Sequence, residues 1–445
     1  MKRINISAAA IGLTLMLTLG AGCKKYLDVN TDPDRPVDAP PAAILTGVEV
    51  TTGFVLGGAD LPLATGVLTN VVTGASQQYE SYEEYQMVAD NFTNAWGSVY
   101  QGILNNLSEL RKMSDEKKWY FYNGVGKILT AYVLCTTTDM WGDIPYSDAF
   151  KGLSFQFKAK FDKQEDVYKT IDALITSGLT DLHQPQLGPN PGDNDVLYGG
   201  DPDKWIAFAN SFRLRVLIHL VKRDPNAAQK VIAAAAAPGG LIDNDQLPDA
   251  QINFLNDPTR ANPIQQFNEQ RTGYVEYDNT FLINSMKALN DKRVSKYLPG
   301  GFYDSRNSPM LMLTSYEVNF ILAEAYARAG NTAQAKSFYE AGVLGSFAKV
   351  GADATGYLAK PEVSFDAATT PAARLNLIMT QKYYAMYLQS ESFTDWRRTG
   401  LPVLTSKNGT LEIPRRLPYP QSELSYNKEN VPGNITLLTK VWWDQ

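Results

Sequence analysis

Along most of this chain, apolar side chains recur at three- and four-residue steps, and that period leaves little choice besides amphipathic helices that bury their stripes against one another. Trp96, Val99, Ile103, Leu107 and Leu110 mark one stripe within 95–111, and 119–136 repeats the pattern. Val167, Ile171, Leu174 and Ile175 mark another within 165–182. Segments 205–221 and 227–237 read as a helix pair broken by Asp224-Pro225, and 375–390 places Leu375, Ile378, Met379, Tyr383 and Met386 on one face. At 44% apolar and 20% charged residues the composition is that of a globular protein, which excludes a disordered or collagen-like chain.

The sharpest segment is 316–342, where Leu322, Ala323, Tyr326, Ala335 and Tyr339 fall at tetratricopeptide-repeat spacings and Gly330-Asn331 supplies the turn. Small Ala323 and Ala335 allow the paired helices to approach closely, while Asn319 stands where the repeat has a large aromatic. The other helices match the repeat weakly, so stacked helical hairpins are expected rather than a regular solenoid. Long loops rich in Gly, Pro, Asn and Asp, at 184–203, 247–271 and 299–309, separate the helices. The expected fold is mainly α, with loop-rich elaborations and little strand.

Lys2 and Arg3 precede an apolar run from Ile6 to Leu19, too short for a comfortable span and laid out as a secretory signal. The small residues that follow end in Cys23, which resembles a bacterial lipobox: cleavage before Cys23 and its lipidation are expected. The organisation is then a signal sequence over 1–22, a lipidated Cys23 with a Pro/Asp-rich extended leader to 43, and one helical domain over 44–445. No second apolar run of spanning length is expected, so the body sits outside the bilayer.

Function classes narrow by chemistry. With 41 Lys+Arg against 47 Asp+Glu the formal charge is −6, which argues against a phosphate-binding face or a polybasic membrane surface. The two histidines, His183 and His219, cannot build a His-rich metal cage, and neither Cys23 nor Cys135 belongs to a C-x-x-C pair. The chain has no P-loop, G-x-S-x-G or dinucleotide fingerprint, and no cofactor is expected. Acidic pairs such as Glu80/Glu84 and Asp139/Asp143 are unsurprising among 47 carboxylates and do not argue for hydrolysis. Asp193, Asp195 and Asp201, or Asp243 and Asp245, offer oxygen atoms but fit no calcium loop, and solvated turns are the plainer reading.

Several motifs occur in order: Met140-Trp141-Gly142-Asp143-Ile144-Pro145-Tyr146; Lys204-Trp205 leading into Phe208 to Arg215; the AEAYAR run ending at Arg328; Gln381-Lys382-Tyr383; Glu391, Asp395, Trp396, Arg397, Arg398 and Gly400; and Arg415, Arg416, Tyr419-Pro420, Glu423, Asn427 and Trp442-Trp443 near the end. With the lipobox and a leader carrying Asn30, Asp32-Pro33 and Pro36, this series resembles the SusD/RagB family across essentially the whole chain. Phe393 and the run Asn290-Asp291-Lys292-Arg293 depart from the family pattern and bear on local packing. The resemblance implies a SusD-like α-α superhelix in a cell-surface outer-membrane lipoprotein. It also implies a protein that binds glycan or another oligomeric nutrient without chemistry on it and caps a TonB-dependent, SusC-like transporter. Alternatives are a scaffold that binds only a partner protein, and a member that takes peptides.

A sugar binder needs exposed aromatic plates beside amides, carboxylates or Arg. Gln78, Tyr79, Tyr82 and Tyr85 have that chemistry, with the three tyrosines at three-residue steps, although a transporter contact or a solvated helix edge reads equally well. Asn262, Gln266, Arg271, Tyr274, Tyr277 and Tyr303 form a second candidate group, and the two groups are expected to make one shallow site. The Arg397/Arg398 pair is expected to serve an internal ion network rather than a ligand, and Trp141, Trp205 and Trp442-Trp443 to seal a core. Cys135 is expected to be a buried, inert thiol and His219 a satisfied packing residue.

Overall fold

The computed structural model describes residues 39–406, 409 and 411–445. The expected signal sequence, Cys23 and most of the expected leader lie outside the described residues. Helices begin at Pro41–Leu56, so Pro41, Ala42 and Ala43 belong to the first helix rather than to a leader. They continue through Asn105–Lys117, Tyr120–Trp141, Gln164–Leu182, Pro202–His219, Ala227–Ala234, Ser315–Arg328, Thr332–Val350, Pro371–Ala385 and Glu391–Thr399. Among the described residues, strands are short and pair only in two-stranded antiparallel ribbons, in keeping with the mainly α expectation. The unit so formed runs from Pro41 to Gln445.

Local chemistry explains the boundaries. Asp201 caps the helix Pro202–His219, its carboxylate accepting from the backbone N–H of Asp203 and Lys204, with Pro202 in the first turn. Asn331 caps Thr332–Val350 in the same way, accepting from Gln334 N–H, so the turn at Gly330-Asn331 falls where the sequence puts it. Gly400, at φ +72°, closes Glu391–Thr399 in the left-handed conformation that a side chain would resist. The helix expected over 375–390 stops at Ala385, because the chain turns through Leu388, at φ +55°, to start the next helix.

Packing is tightest where small residues meet. A Cβ on Gly178 would lie 2.9 Å from Ile128 and 3.0 Å from the Gly124 carbonyl, which lets Tyr120–Trp141 and Gln164–Leu182 cross closely. Ala323 and Ala335 are fully buried between the hairpin helices, where Phe320, Tyr339 and Phe347 form a second cluster beside the main core. Each large apolar side chain buried this way contributes about 1.5–3 kcal/mol. One expectation is corrected: the helical stretch Pro41–Leu68 is long and apolar enough to cross a bilayer. Its Leu45, Val48, Leu61 and Leu63 are, however, fully buried, which makes it a core element.

The motif charges of the C-terminal third turn inward. Arg398 donates from both Nη atoms to Glu324 at 2.6 Å and also engages Asp395, whose other oxygen meets Lys382 at 2.7 Å. Arg397 donates to the carbonyls of Asp139 and Arg415. Trp141, Trp205 and Trp443 are buried, while Trp442 is half-buried. At the atypical run 290–293, Asp291 and Arg293 form a buried pair at 2.6 Å, and Arg293 also bonds Ser346 and Gln381. The departure from the family pattern therefore leaves the packing there filled and satisfied.

Candidate functional site

The two candidate segments meet through backbone pairing. Thr73-Gly74 pairs antiparallel with Val275-Glu276, and the Tyr274 carbonyl accepts from the N–H groups of Ala75 and Ser76. No side chain fits at Gly74, where a Cβ would strike the Tyr79 carbonyl, so glycine permits the short helix Gln77–Glu83 to fold straight back. Below that helix Tyr79 packs edge-on to Tyr82 at 5.1 Å and to Phe267 at 5.3 Å, and Phe267 packs edge-on to Tyr274 at 6.0 Å. Arg271 lies over Phe267, 5.4 Å from its centroid.

This geometry corrects the expected ring plate. Tyr79 is 0% and Tyr82 2% exposed, so both face the core and neither presents a stacking surface. Three-residue spacing puts rings on one side of a turn, and here that side faces Phe267 and Phe92. What reaches the surface is Gln78 and Arg271, with Tyr85, Tyr274 and Tyr277 half-buried. Burial raises the Asp60 carboxyl above its ordinary range, and the nearby Arg271 guanidinium offsets only part of that rise.

Asn262 and Tyr303 do not join that patch. Asn262 is a helix cap: its Oδ1 accepts from Ile264 and Gln265 N–H, and its Nδ2 donates to the Ser308 carbonyl at 3.0 Å. Gln266 donates to the Ala261 carbonyl in the same turn. Tyr303 stacks edge-on against Tyr297 and Tyr387 and shares with Asn262 the wall of an internal cavity of about 60 Å³.

A polar knot borders the same cavity. Asp139 Oδ1 accepts from Tyr168 OH at 2.6 Å and Trp443 Nε1 at 2.7 Å, and Cys135 donates to its other oxygen. His219 bonds Glu391 through Nε2 at 2.8 Å and Tyr168 through Nδ1 at 3.0 Å. Burial lowers the His219 pKa, but Glu391 and Asp139 outweigh it and hold the ring well above 6.5. The ring is thereby held between the carboxylates of Glu391 and Asp139. Ligand atoms of Cys135, Asp139 and His219 lie within 4.8 Å of one another, yet each is already engaged by a protein partner, so the set works as a structural knot. In the loops, Asp195 is equally committed, accepting from Leu197, Tyr198 and Gly200 N–H and from Trp205 Nε1. Asp243 accepts from the N–H groups of Asp245 and Leu247, closing a turn.

A feature the sequence reasoning did not single out is a groove of about 1120 Å³ between the helical stretch 93–105, the loop 145–159 and the short helix Gln421–Tyr426 with Asn427. Its floor is Trp96 and Tyr100, 4.8 Å apart, the first anchored by an Nε1 bond to Glu423 and the second by its OH to the Pro145 carbonyl. Seven residues here, Ser98–Leu104, form a π-helix, an uncommon geometry that tends to occur where backbone is shaped for function. The family motif carrying Glu423 and Asn427 was the available signal for this region.

The sequence matches the profile of the SusD-like family described as starch-binding and associating with the outer membrane, over residues 63–303 and 300–420. None of the curated proteins compared is similar in sequence. Among solved structures, a SusD/RagB family protein from Bacteroides thetaiotaomicron superposes with a TM-score of 0.76 at 20% identity, covering 92% of this chain and 99% of that one. A chitin-binding protein superposes with a TM-score of 0.76 at 23% identity, covering 91% of this chain and 100% of that one. A SusD homologue from Bacteroides fragilis gives 0.74 at 23%, covering 92% and 100%. At these identities the structures establish the shared fold, and the profile, which spans most of the sequence, establishes the kinship: the chain belongs to the SusD-like family of outer-membrane-associated binding proteins.

Proposed function

We propose that this chain is a cell-surface lipoprotein, anchored through Cys23, that binds oligosaccharide or another oligomeric nutrient and delivers it to a TonB-dependent, SusC-like transporter in the outer membrane. The protein performs no chemistry on its cargo. The observation that supports the reading is the pairing of 73–74 with 275–276, which joins the segment carrying Gln78 and Tyr85 to the segment carrying Arg271 and Tyr274 over the packed Tyr79, Tyr82 and Phe267 rings. A sugar presents an apolar C–H face and a rim of hydroxyls, and this patch offers half-buried rings beside an amide and a guanidinium. The buried rings below hold the surface groups in place and touch no ligand themselves.

The test is calorimetric titration of the purified protein with maltohexaose and chitohexaose, comparing the wild type with a variant carrying Gln78→Ala, Tyr85→Ala, Arg271→Ala and Tyr274→Ala. Saturable binding lost in the variant supports the reading. Unchanged affinity in the variant removes the patch, and no binding by the wild type across these and a broad oligosaccharide panel removes the glycan assignment.

A further inference from the structure

Soluble proteins seldom leave large rings open to water unless something covers them. Around the groove floored by Trp96 and Tyr100, Phe157 is 75% and Tyr426 79% exposed, and Phe155, 84% exposed, stands edge-on to Phe157. These rings come from one loop and from the end of the short helix Gln421–Tyr426, and Lys158 and Glu429 join the two segments in an ion pair at 2.5 Å. The groove walls carry amides that are exposed and bond no other group among the described residues through their side chains: Gln101, Asn105 and Gln156.

Charge narrows the occupant. Lys151 on the groove wall is paired with Asp148 at 2.6 Å, and Glu423 is taken up by Trp96 Nε1 at 3.1 Å and Asn427 Nδ2 at 2.9 Å. No cation in the lining is left to meet an anionic ligand, and both oxygens of the Glu423 carboxylate are committed to neutral donors. Open rings, unengaged amides and the lack of an unpaired cation together match a neutral sugar chain: its C–H faces on the rings, its hydroxyls on the amides. A protein partner would call for a contiguous apolar centre rather than isolated rings set in a concave, amide-lined wall. The groove volume, about 1120 Å³, exceeds the range of about 300–1,000 Å³ for small-ligand sites, which suits several linked residues better than one.

We infer that this groove is a second binding site, for a neutral oligosaccharide, separate from the patch at Gln78, Tyr85, Arg271 and Tyr274. The two share no lining residue, although Phe92 packs under Tyr82 on one side and against Trp141, beside Trp96, on the other. The inference takes its ligand class from the groove's own chemistry, so it stands or falls independently of the patch. The protein holds a chain at two points, which raises residence through effective concentration when one chain reaches both.

The experiment titrates maltohexaose and chitohexaose into the purified protein as wild type, as F157A/Y426A and as R271A/Y274A. All four positions are exposed or half-buried, and thermal melting of each variant checks that the fold is kept. The expected result is a tenfold or greater loss of affinity, or the loss of one of two binding events, in F157A/Y426A, with a separate loss in R271A/Y274A. If F157A/Y426A alone abolishes binding, the groove stands and the patch falls. Wild-type-like titration of F157A/Y426A overturns the groove site whatever R271A/Y274A does. So does a variant that titrates normally but no longer co-purifies with the transporter, which would make the rings a protein contact. A wild type that binds neither probe nor a broad neutral panel overturns it as well.

Discussion

Replacing Glu324 by Gln tests whether the buried ionic network holds the C-terminal helices to the hairpin. Glu324 is fully buried and accepts from both Arg398 Nη atoms at 2.6 Å and from Arg328 Nε at 2.8 Å. Burial raises its carboxyl, but Arg398 and Arg328 outweigh that and hold it at about 2, against an ordinary 4.5. The folded value lies below the unfolded one, so the stability from this group is complete above about pH 4.5 and is lost as the pH falls through about 2. At about 1.36 kcal/mol per unit, the ionised carboxylate contributes about 3 kcal/mol at pH 7, of which about 2 kcal/mol is gone at pH 3. Gln keeps the shape and removes the charge, leaving Arg398 short of a counter-ion, a class of change that costs about 3–5 kcal/mol. Glu324→Gln is expected to lose about 3 kcal/mol at pH 7, and its gap to wild type to narrow by about 2 kcal/mol at pH 3. Urea unfolding followed by far-UV circular dichroism at both pH values measures this. A gap below about 1 kcal/mol at pH 7, or equal gaps at both pH values, refutes the reasoning.

Other outcomes follow from the same contacts. Gly178→Val pushes a side chain into Ile128 and the Gly124 carbonyl, and is expected to destabilise by more than about 2 kcal/mol in urea unfolding; a neutral result removes the close crossing. Burial pushes the Cys135 thiol up to about 12, so a disulfide reagent should modify it only after denaturation, and fast labelling of the native protein would contradict its enclosure. Tyr82→Ala is expected to cost about 3–5 kcal/mol while Tyr426→Ala stays within about 0.5 kcal/mol, a contrast that matched thermal melts can reverse if the burial is misassigned. Cys23→Ser is expected to release the protein from the envelope fraction, and continued co-sedimentation would speak against a lipid anchor there.

Much of the fold was legible because its information is local. Trp96 to Leu110 and Val167 to Ile175 carry the helical period themselves, and Gly330-Asn331 encodes the hairpin turn in two residues. Arg397 and Arg398 were legible as network residues because an Asp lies one turn before Arg398 on the same helix face. The site was half legible. Sequence placed the segments around Tyr79 and Arg271 together, but the facing of a seven-residue helix depends on what packs below it, here Phe267 and Phe92. Asn262 carried the same ambiguity: a helix cap followed by Pro263 and a ligand-facing amide use the same side chain. The groove was not legible because Phe157, in a loop, and Tyr426, at the end of a short helix, lie far apart along the chain, and no period links them.

The central claim is that this surface holds oligosaccharide. Titration calorimetry of the purified wild-type protein against a neutral oligosaccharide series, including maltohexaose and chitohexaose, tests it most directly. The account predicts saturable binding to at least one member of the series that weakens when Arg271 and Tyr274 are replaced by Ala. Heats no greater than dilution for every member would contradict it.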